Sequence, residues 1–243
     1  MKVIAFDIWG EFGHFKKFYT TSSPLTFSVP PPTAVFGMLG AVLGLEKDKY
    51  LNYINADNTK IGIQILKPIK KVRMSINLID TKNSGSFHLI KNRTQIKTEF
   101  LKNPAYRIYV HHKDENLFNR LIDYIKNKKT HYTISLGLAN IIANFKFQGI
   151  YEATALENVN EVITIVPEEY VESIEISEGK RYFKEKMPVN MNPDRKPTVY
   201  KDIIMETQGK TLNGTFKNCY KVNNKTIVLI WVKIFILFNI LYL

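Results

Sequence analysis

Cysteine is almost missing from this chain: Cys219 is the only one in 243 residues. No disulfide can therefore form within it, a cysteine zinc site is excluded, and the usage points to the cytoplasm. Acidic residues are also in deficit, 22 Asp and Glu against 34 Lys and Arg, for a formal net charge of +12. The first residues, KVIAFDI, alternate as a short strand carrying Asp7 instead of forming an apolar signal core. Repeat arrays and low-complexity tracts are absent from the sequence. Two motifs fail on their spacing. His111 and His112 are adjacent, so they cannot share an ion in the i, i+4 manner of a helix. Gly209-Lys210-Thr211 resembles the end of a phosphate loop, but Ile204 stands where its first glycine belongs. No metal or cofactor is implied.

What is present is a surplus of cations together with 13 Tyr and 15 Phe. That combination suits a polyanion gripped through its phosphates and stacked through its bases. The alternative is charge kept for solubility. The length supports one large domain or two small ones.

The stretch from Gly10 to Gly44 concentrates the unusual compositions. GEFGHFKKFY alternates Phe12, Phe15, Phe18 and Tyr19 with His14, Lys16 and Lys17. Pro30 to Pro32 then hold the backbone extended and remove three N–H donors. A helix follows, capped by Thr33 or by the end of the proline run. Gly37, Gly40 and Gly44 lie three and four apart and give it a face without side chains, expected to pack on a sheet. Its N-terminus and the preceding loop are left to meet a ligand. Each phenylalanine of the loop either stacks on a base or plugs a small core.

Further along, Ile61 to Leu66 reads as a strand. Residues 70 to 80 form a longer one, with Val72, Met74, Ile76 and Leu78 on an oily face and Lys71, Arg73, Ser75 and Asn77 on the other. Residues 81 to 104 lack regular periodicity and carry Lys82, Lys91, Arg93, Lys97 and Lys102, the pattern of a protruding arm. Ala105 to Val110 returns as a strand containing Arg107. Residues 114 to 128 form an amphipathic helix, and residues 132 to 147 hold a turn at Gly137, a short helix near 139 to 143 and a strand. The order is that of a split βαβ, ferredoxin-like unit over residues 1–152. Residues 153–226 read as a smaller, β-rich C-terminal domain. The fold class is thus α+β. Residues 227–243 form an apolar run interrupted by Lys233 and Asn239. A lysine at the centre of a membrane span costs about 2.5–3.5 kcal/mol. The run reads as a buried strand or helix, a tail anchor, or a displaced reading frame.

Taken in order, the Gly-His-Phe loop, the proline run and the glycine-faced helix resemble the fifth CRISPR-associated (Cas) protein family, a branch of the RAMP superfamily. ILKPIKKVRMSINLIDTK, RTQIKTEFLKNPAYRIYV and YTISLGLANIIANF extend the resemblance. It implies a ferredoxin-like, RNA-recognition-type fold with a thumb at residues 81–104. It also implies a non-catalytic subunit of a type I surveillance complex (Cascade) that holds the five-prime handle of the CRISPR RNA. Its partners would be that RNA, the backbone and large subunits, and target DNA only through the assembled complex, with no membrane involved. His14, Lys16, Lys17, Tyr19 and Thr33 would lie near the handle, each base stacked on an aromatic contributing about 1–3 kcal/mol. Arg93 and Lys97 would contact RNA or a partner protein. Arg73 and Arg107 leave phosphate contact and simple solvation open. One branch of the family resembles a metal-independent endoribonuclease working with tyrosine, lysine and histidine. His14, His88, His111, His112 and His131 supply such ingredients, but no spacing assembles them. A tail-anchored membrane protein is the reading from another class.

Overall fold

The computed structural model describes residues 1–20, 22–79 and 93–231. The first half contains β1 (Lys2–Trp9), β2 (Phe12–Gly13), α1 (Pro32–Leu43), α2 (Tyr50–Tyr53), β3 (Thr59–Ile65), β4 (Lys71–Ile79), β5 (Arg93–Lys102), β6 (Ala105–His112), α3 (Glu115–Lys126) and β7 (Asn144–Leu156). The second half adds β8 (Val159–Val162), β9 (Val166–Pro167), β10 (Val171–Ile174), β11 (Tyr182–Met191), β12 (Pro197–Glu206), β13 (Leu212–Phe216), β14 (Cys219–Val222) and β15 (Lys225–Val228).

β1 is apolar on both faces, and so it becomes central. Ile4, Phe6 and Ile8 join α1, α3, β3 and β6 in the main core, while Val3 and Ala5 pack on the other side with Tyr109, Ala153, Val222, Ile227 and Leu229. Every neighbour in the principal sheet is antiparallel, in the order β15-β14-β7-β1-β6-β3. The sheet then bends back on itself. Just past β15, Ile230 exchanges two backbone hydrogen bonds with Ile61 of β3, at 3.1 and 2.7 Å. The approach is so close that a Cβ on Gly62 would stand 2.9 Å from the Val228 carbonyl oxygen.

Several expectations change here. The boundary at 152/153 falls inside β7, and β14 and β15 return to the principal sheet. Met187, Val189, Ile203 and Met205 of β11 and β12 share one core with α1, so the β-rich half is continuous with the first. Ile227 to Ile230, the start of the run read as a buried strand or helix, a tail anchor or a displaced frame, follow the first of these: they continue β15 and are core residues exposed by 3% or less. Residues 232–243 lie outside the described residues; among those described, no helix is long and apolar enough to cross a membrane. The expected helix near 139–143 is instead a tight loop, in which Leu136 N–H donates to the Ile141 carbonyl at 2.8 Å.

The arm is also recast. Residues 93–102 are a regular strand, β5, paired with β4 from Lys71↔Leu101 to Ile79↔Arg93. The projecting unit is thus a two-stranded ribbon that begins at Lys71, with β2 added at its base through Phe12↔Lys102. Residues 81–92 of the expected arm lie outside the described residues. Finally, α1 turns its large side chains, not its glycines, into the main core: Val35, Phe36, Leu39, Val42 and Leu43 are buried there. Its cap is Pro31, the end of the proline run, with Pro32 at the first helical position; Gly44 ends it in the left-handed conformation, φ 74°. Asp114 caps α3 by accepting the Leu117 N–H at 2.9 Å.

Because Ile227 and Leu229 fill the space where the sheet closes, Ile227→Ala or Leu229→Ala is expected to destabilise the protein by about 2–5 kcal/mol in chemical denaturation. A loss below about 1 kcal/mol would show that this closing strand contributes little to the core.

Candidate nucleic-acid interface

The loop from Gly10 to Phe18 is held by its backbone. The His14 N–H donates to the Leu136 carbonyl at 2.9 Å and the Phe15 N–H to Thr26 Oγ1 at 2.9 Å; the Phe27 N–H returns to the Phe15 carbonyl at 2.8 Å. Gly137 makes this possible: its φ is +102°, and a Cβ there would lie 1.9 Å from the His14 carbonyl oxygen. Loop side chains then sort in and out. Phe15 and His14, each 3% exposed, point inward, with His14 Nδ1 2.7 Å from the Glu99 carbonyl oxygen. Lys16 is exposed, as are Phe18 and Tyr19, 52% and 58% accessible.

Lys17 is the main departure from the sequence reading. Its ammonium is buried 2.5 Å from Glu185 Oε1 of β11, and Glu185 also accepts the Ser28 N–H at 3.0 Å. Burial pulls the Lys17 pKa down, but the hydrogen bond and charge of Glu185 outweigh it and hold the group above the usual lysine range. A cation spent in this way is not presented to a phosphate. Arg107 is likewise occupied. It forms a two-pronged pair with Asp7, at 2.7 and 3.0 Å, which with burial's opposing effect leaves its pKa raised. It also lies on the side of β1 opposite α1, since Asp7 follows Val3 and Ala5 in the strand alternation.

A cleft of about 530 Å³ opens where the loop, the first turns of α1 and the β11–β12 hairpin converge. His14, Lys16, Phe18 and Thr33 line it; Thr33 lies inside the helix and is 4% exposed. Tyr19 adjoins the rim through an edge contact with Phe18, ring centres 5.0 Å apart. Arg73 and Lys97 sit elsewhere, on the polar face of the β4–β5 ribbon. The Arg73 side chain is 71% exposed, with Nε 3.8 Å from Glu99 Oε2. Arg93 opens β5, paired with Ile79, and its side chain lies outside the described residues.

Sequence reasoning missed three residues of this region. Arg195 lines the cleft from the tip of the β11–β12 hairpin, where φ of +62° and an Asn192 turn hold it. Tyr50 borders the cleft together with that guanidinium, and burial raises its pKa against the opposing charge of Arg195. Tyr200 of β12 places its ring 4.8 Å from Phe18. The one signal in the sequence was a cation in a proline-flanked turn, with nothing to say that the turn faces α1. Among the described residues, no group of three or more His, Cys, Asp and Glu is placed to hold a metal ion.

Removing either partner of the Lys17–Glu185 pair leaves a charge without compensation in a water-poor site. Lys17→Met alone is expected to cost about 3–5 kcal/mol in denaturation, and Lys17→Met with Glu185→Leu to recover much of it. If Lys17→Met left stability unchanged, the pair would not be holding the loop.

A family model described as CRISPR-associated protein (Cas_Cas5) matches residues 3–192. No curated protein sequence matches the chain significantly. Among solved structures, the chain is similar to a CRISPR protein from Archaeoglobus fulgidus, at 13% identity, covering 96% of this chain and 100% of that one with a TM-score of 0.53. A CRISPR RNA-guided surveillance complex contains a chain 11% identical, with 85% and 90% of the two chains covered and a TM-score of 0.48. A type III-B Cmr-beta complex bound to cognate target RNA contains one 13% identical, with 88% and 86% covered and a TM-score of 0.46. At these identities the Archaeoglobus likeness speaks for a shared fold, whereas the family match runs from β1 through β11 and takes in the loop, α1 and the ribbon: the chain belongs to the CRISPR-associated Cas5 family.

Proposed function

We propose that this protein is a non-catalytic, RNA-holding subunit of a type I CRISPR surveillance complex in the cytoplasm, gripping the five-prime handle of the guide RNA. The observation that carries the reading is the cleft itself. Its rim combines an exposed cation, Lys16, with the exposed rings of Phe18 and Tyr19, the pairing of phosphate contact and base stacking that single-stranded RNA requires. Family membership supports it, because a CRISPR-associated chain of this charge has RNA as its natural polyanion.

The ferredoxin-like reading is supported by the order β1-α1-β3-β6-α3-β7 and the strand sequence β7-β1-β6-β3. The β4–β5 ribbon, inserted between β3 and β6, would be the thumb. Val72, Met74 and Ile76 are half-buried along its apolar face and Leu78 is 48% exposed, a strip suited to docking on a neighbouring backbone subunit. Target DNA would be met only through the assembled complex. Holding without cleaving is supported by two largely buried histidines, of which only His14 borders the cleft. His14 and His112 are 3% and 4% exposed, each with a ring nitrogen against a backbone carbonyl.

Co-expression with the neighbouring complex subunits, followed by purification and sequencing of bound nucleic acid, is expected to recover short RNAs sharing one five-prime segment. Recovery of the complex without such RNA would overturn the reading. Incubated alone with repeat RNA in EDTA, the protein is expected to leave the strand intact. Cleavage that disappears with a 2′-deoxy substrate would replace holding with processing.

A further inference from the structure

The cleft does not end at α1. A second hollow of about 470 Å³ adjoins it, and the two share Gly37, Ala41, Tyr50 and Arg195 as a common boundary. Gly37 and Ala41 form the floor of this boundary. A Cβ built on Gly37 meets nothing nearer than the Tyr50 hydroxyl at 3.9 Å, so the floor has room for a side chain that glycine leaves unfilled. Arg195 and Tyr50 border both hollows beside it.

Along this path the chemistry runs aromatic, cation, aromatic. Phe18, 52% exposed, lines the first hollow, Arg195 stands at the boundary, and Tyr132, 48% exposed, lines the second. Tyr132 is fixed there by its N–H, which donates to the Ala41 carbonyl at 2.9 Å. Base, phosphate, base is the matching order in a nucleic acid strand. Each hollow is of a size that takes one small-molecule-sized group. A lysine lines each hollow, Lys16 the first and Lys47 the second. The acid beside them, Glu46, is paired with Lys49 at 2.6 Å. Arg195 is exposed, makes no ion pair among the described residues, and has five N–H donors in a fork that can grip a phosphate in a two-pronged manner.

We propose that the two hollows take two consecutive nucleotides of single-stranded RNA, one base against Phe18 and the next against Tyr132, with their linking phosphate on Arg195. This rests on the RNA-holding reading and adds to it a threading path over the glycine floor of α1.

The test uses the full chain and a fluorescently labelled ten-nucleotide single-stranded RNA of mixed sequence, read by anisotropy across a salt series. Gly37→Leu fills the floor at a helical position where leucine is the better helix former, so its thermal midpoint is expected to match or exceed that of the unchanged protein. Its RNA affinity is expected to fall about tenfold or more, the loss of roughly one base stack. Arg195→Ala, on an exposed turn, is expected to weaken binding and to lower the slope of log affinity against log salt by about 0.7, the loss of one phosphate contact. If Gly37→Leu and Arg195→Ala both bind as the unchanged protein does while Lys16→Ala weakens binding, RNA is held at the rim alone; the threading path fails and the RNA-holding reading stands. If the unchanged protein binds no RNA, both fail.

Discussion

The cleft has a defined width because its two walls are tied together beneath its surface. One wall is the loop after β1, the other the hairpin of β11 and β12, and the tie is the Lys17 ammonium against the Glu185 carboxylate. Glu185 also fixes Ser28 by its N–H, and the Ser28 carbonyl accepts the hydroxyl of fully buried Tyr106 at 2.7 Å. The linkage therefore runs from the centre of the sheet through the proline-bordered segment to the far hairpin. Burial pushes the Tyr106 pKa far above the ordinary tyrosine range, reinforced by the Glu185 charge, so the hydroxyl remains a donor. A water-poor ion pair is a poor source of net stability but a strict source of geometry, and geometry is what a grooved binding surface needs.

Neighbouring lysines illustrate how far the sequence could be read. Lys16 and Lys17 are indistinguishable by composition, yet the extended backbone of the loop sends them to opposite sides. The partner that decides which is buried lies across the chain in β11. Phe15 and Phe12 divide in a similar way, Phe15 entering the core while Phe12 stays half-exposed against the edge of Phe100, ring centres 6.3 Å apart. The faces of β1 were legible from strict alternation, and α3 from its amphipathic stripe and Asp114. β5 was not, because Thr94 and Thr98 stand on its inner face where a strand on a core would show apolar residues, which blurs the alternation. The alternation of Ile96, Thr98 and Phe100 with Gln95, Lys97 and Glu99 is visible only once β4 supplies the partner.

The helix of glycines carries the same lesson at a larger scale. Its spacing correctly marked a face without side chains, and a sheet is the usual neighbour for such a face. Here the opposite face carries Val35, Phe36, Leu39 and Leu43, and hydrophobic burial of those larger groups decides which way the helix turns. Gly40 is then left against the Tyr50 ring, where a Cβ would stand 3.0 Å from the nearest ring-bearing carbon, and Gly37 is left open. Arg195, which completes that surface, sits in a turn just past the end of the family match at residue 192. Motif reading anchored in the N-terminal stretch had no reason to reach it.

The closure of the sheet by Ile230 onto Ile61 bears on how the protein comes into being. During synthesis β3 is made early and pairs with β6 on one side, while its other edge gains a single bond when the Ile165 N–H reaches the Ile63 carbonyl at 2.9 Å and stays open at Ile61 until residue 230 has left the ribosome. An open strand edge beside isoleucines is a template for pairing with other chains. Contacts of such long sequence separation also form slowly, since loop-closure entropy must be overcome before they reward the chain. The nascent protein therefore passes through an interval in which most of its core exists but its seam is unsealed, and in that interval the cell's chaperones have the most to protect.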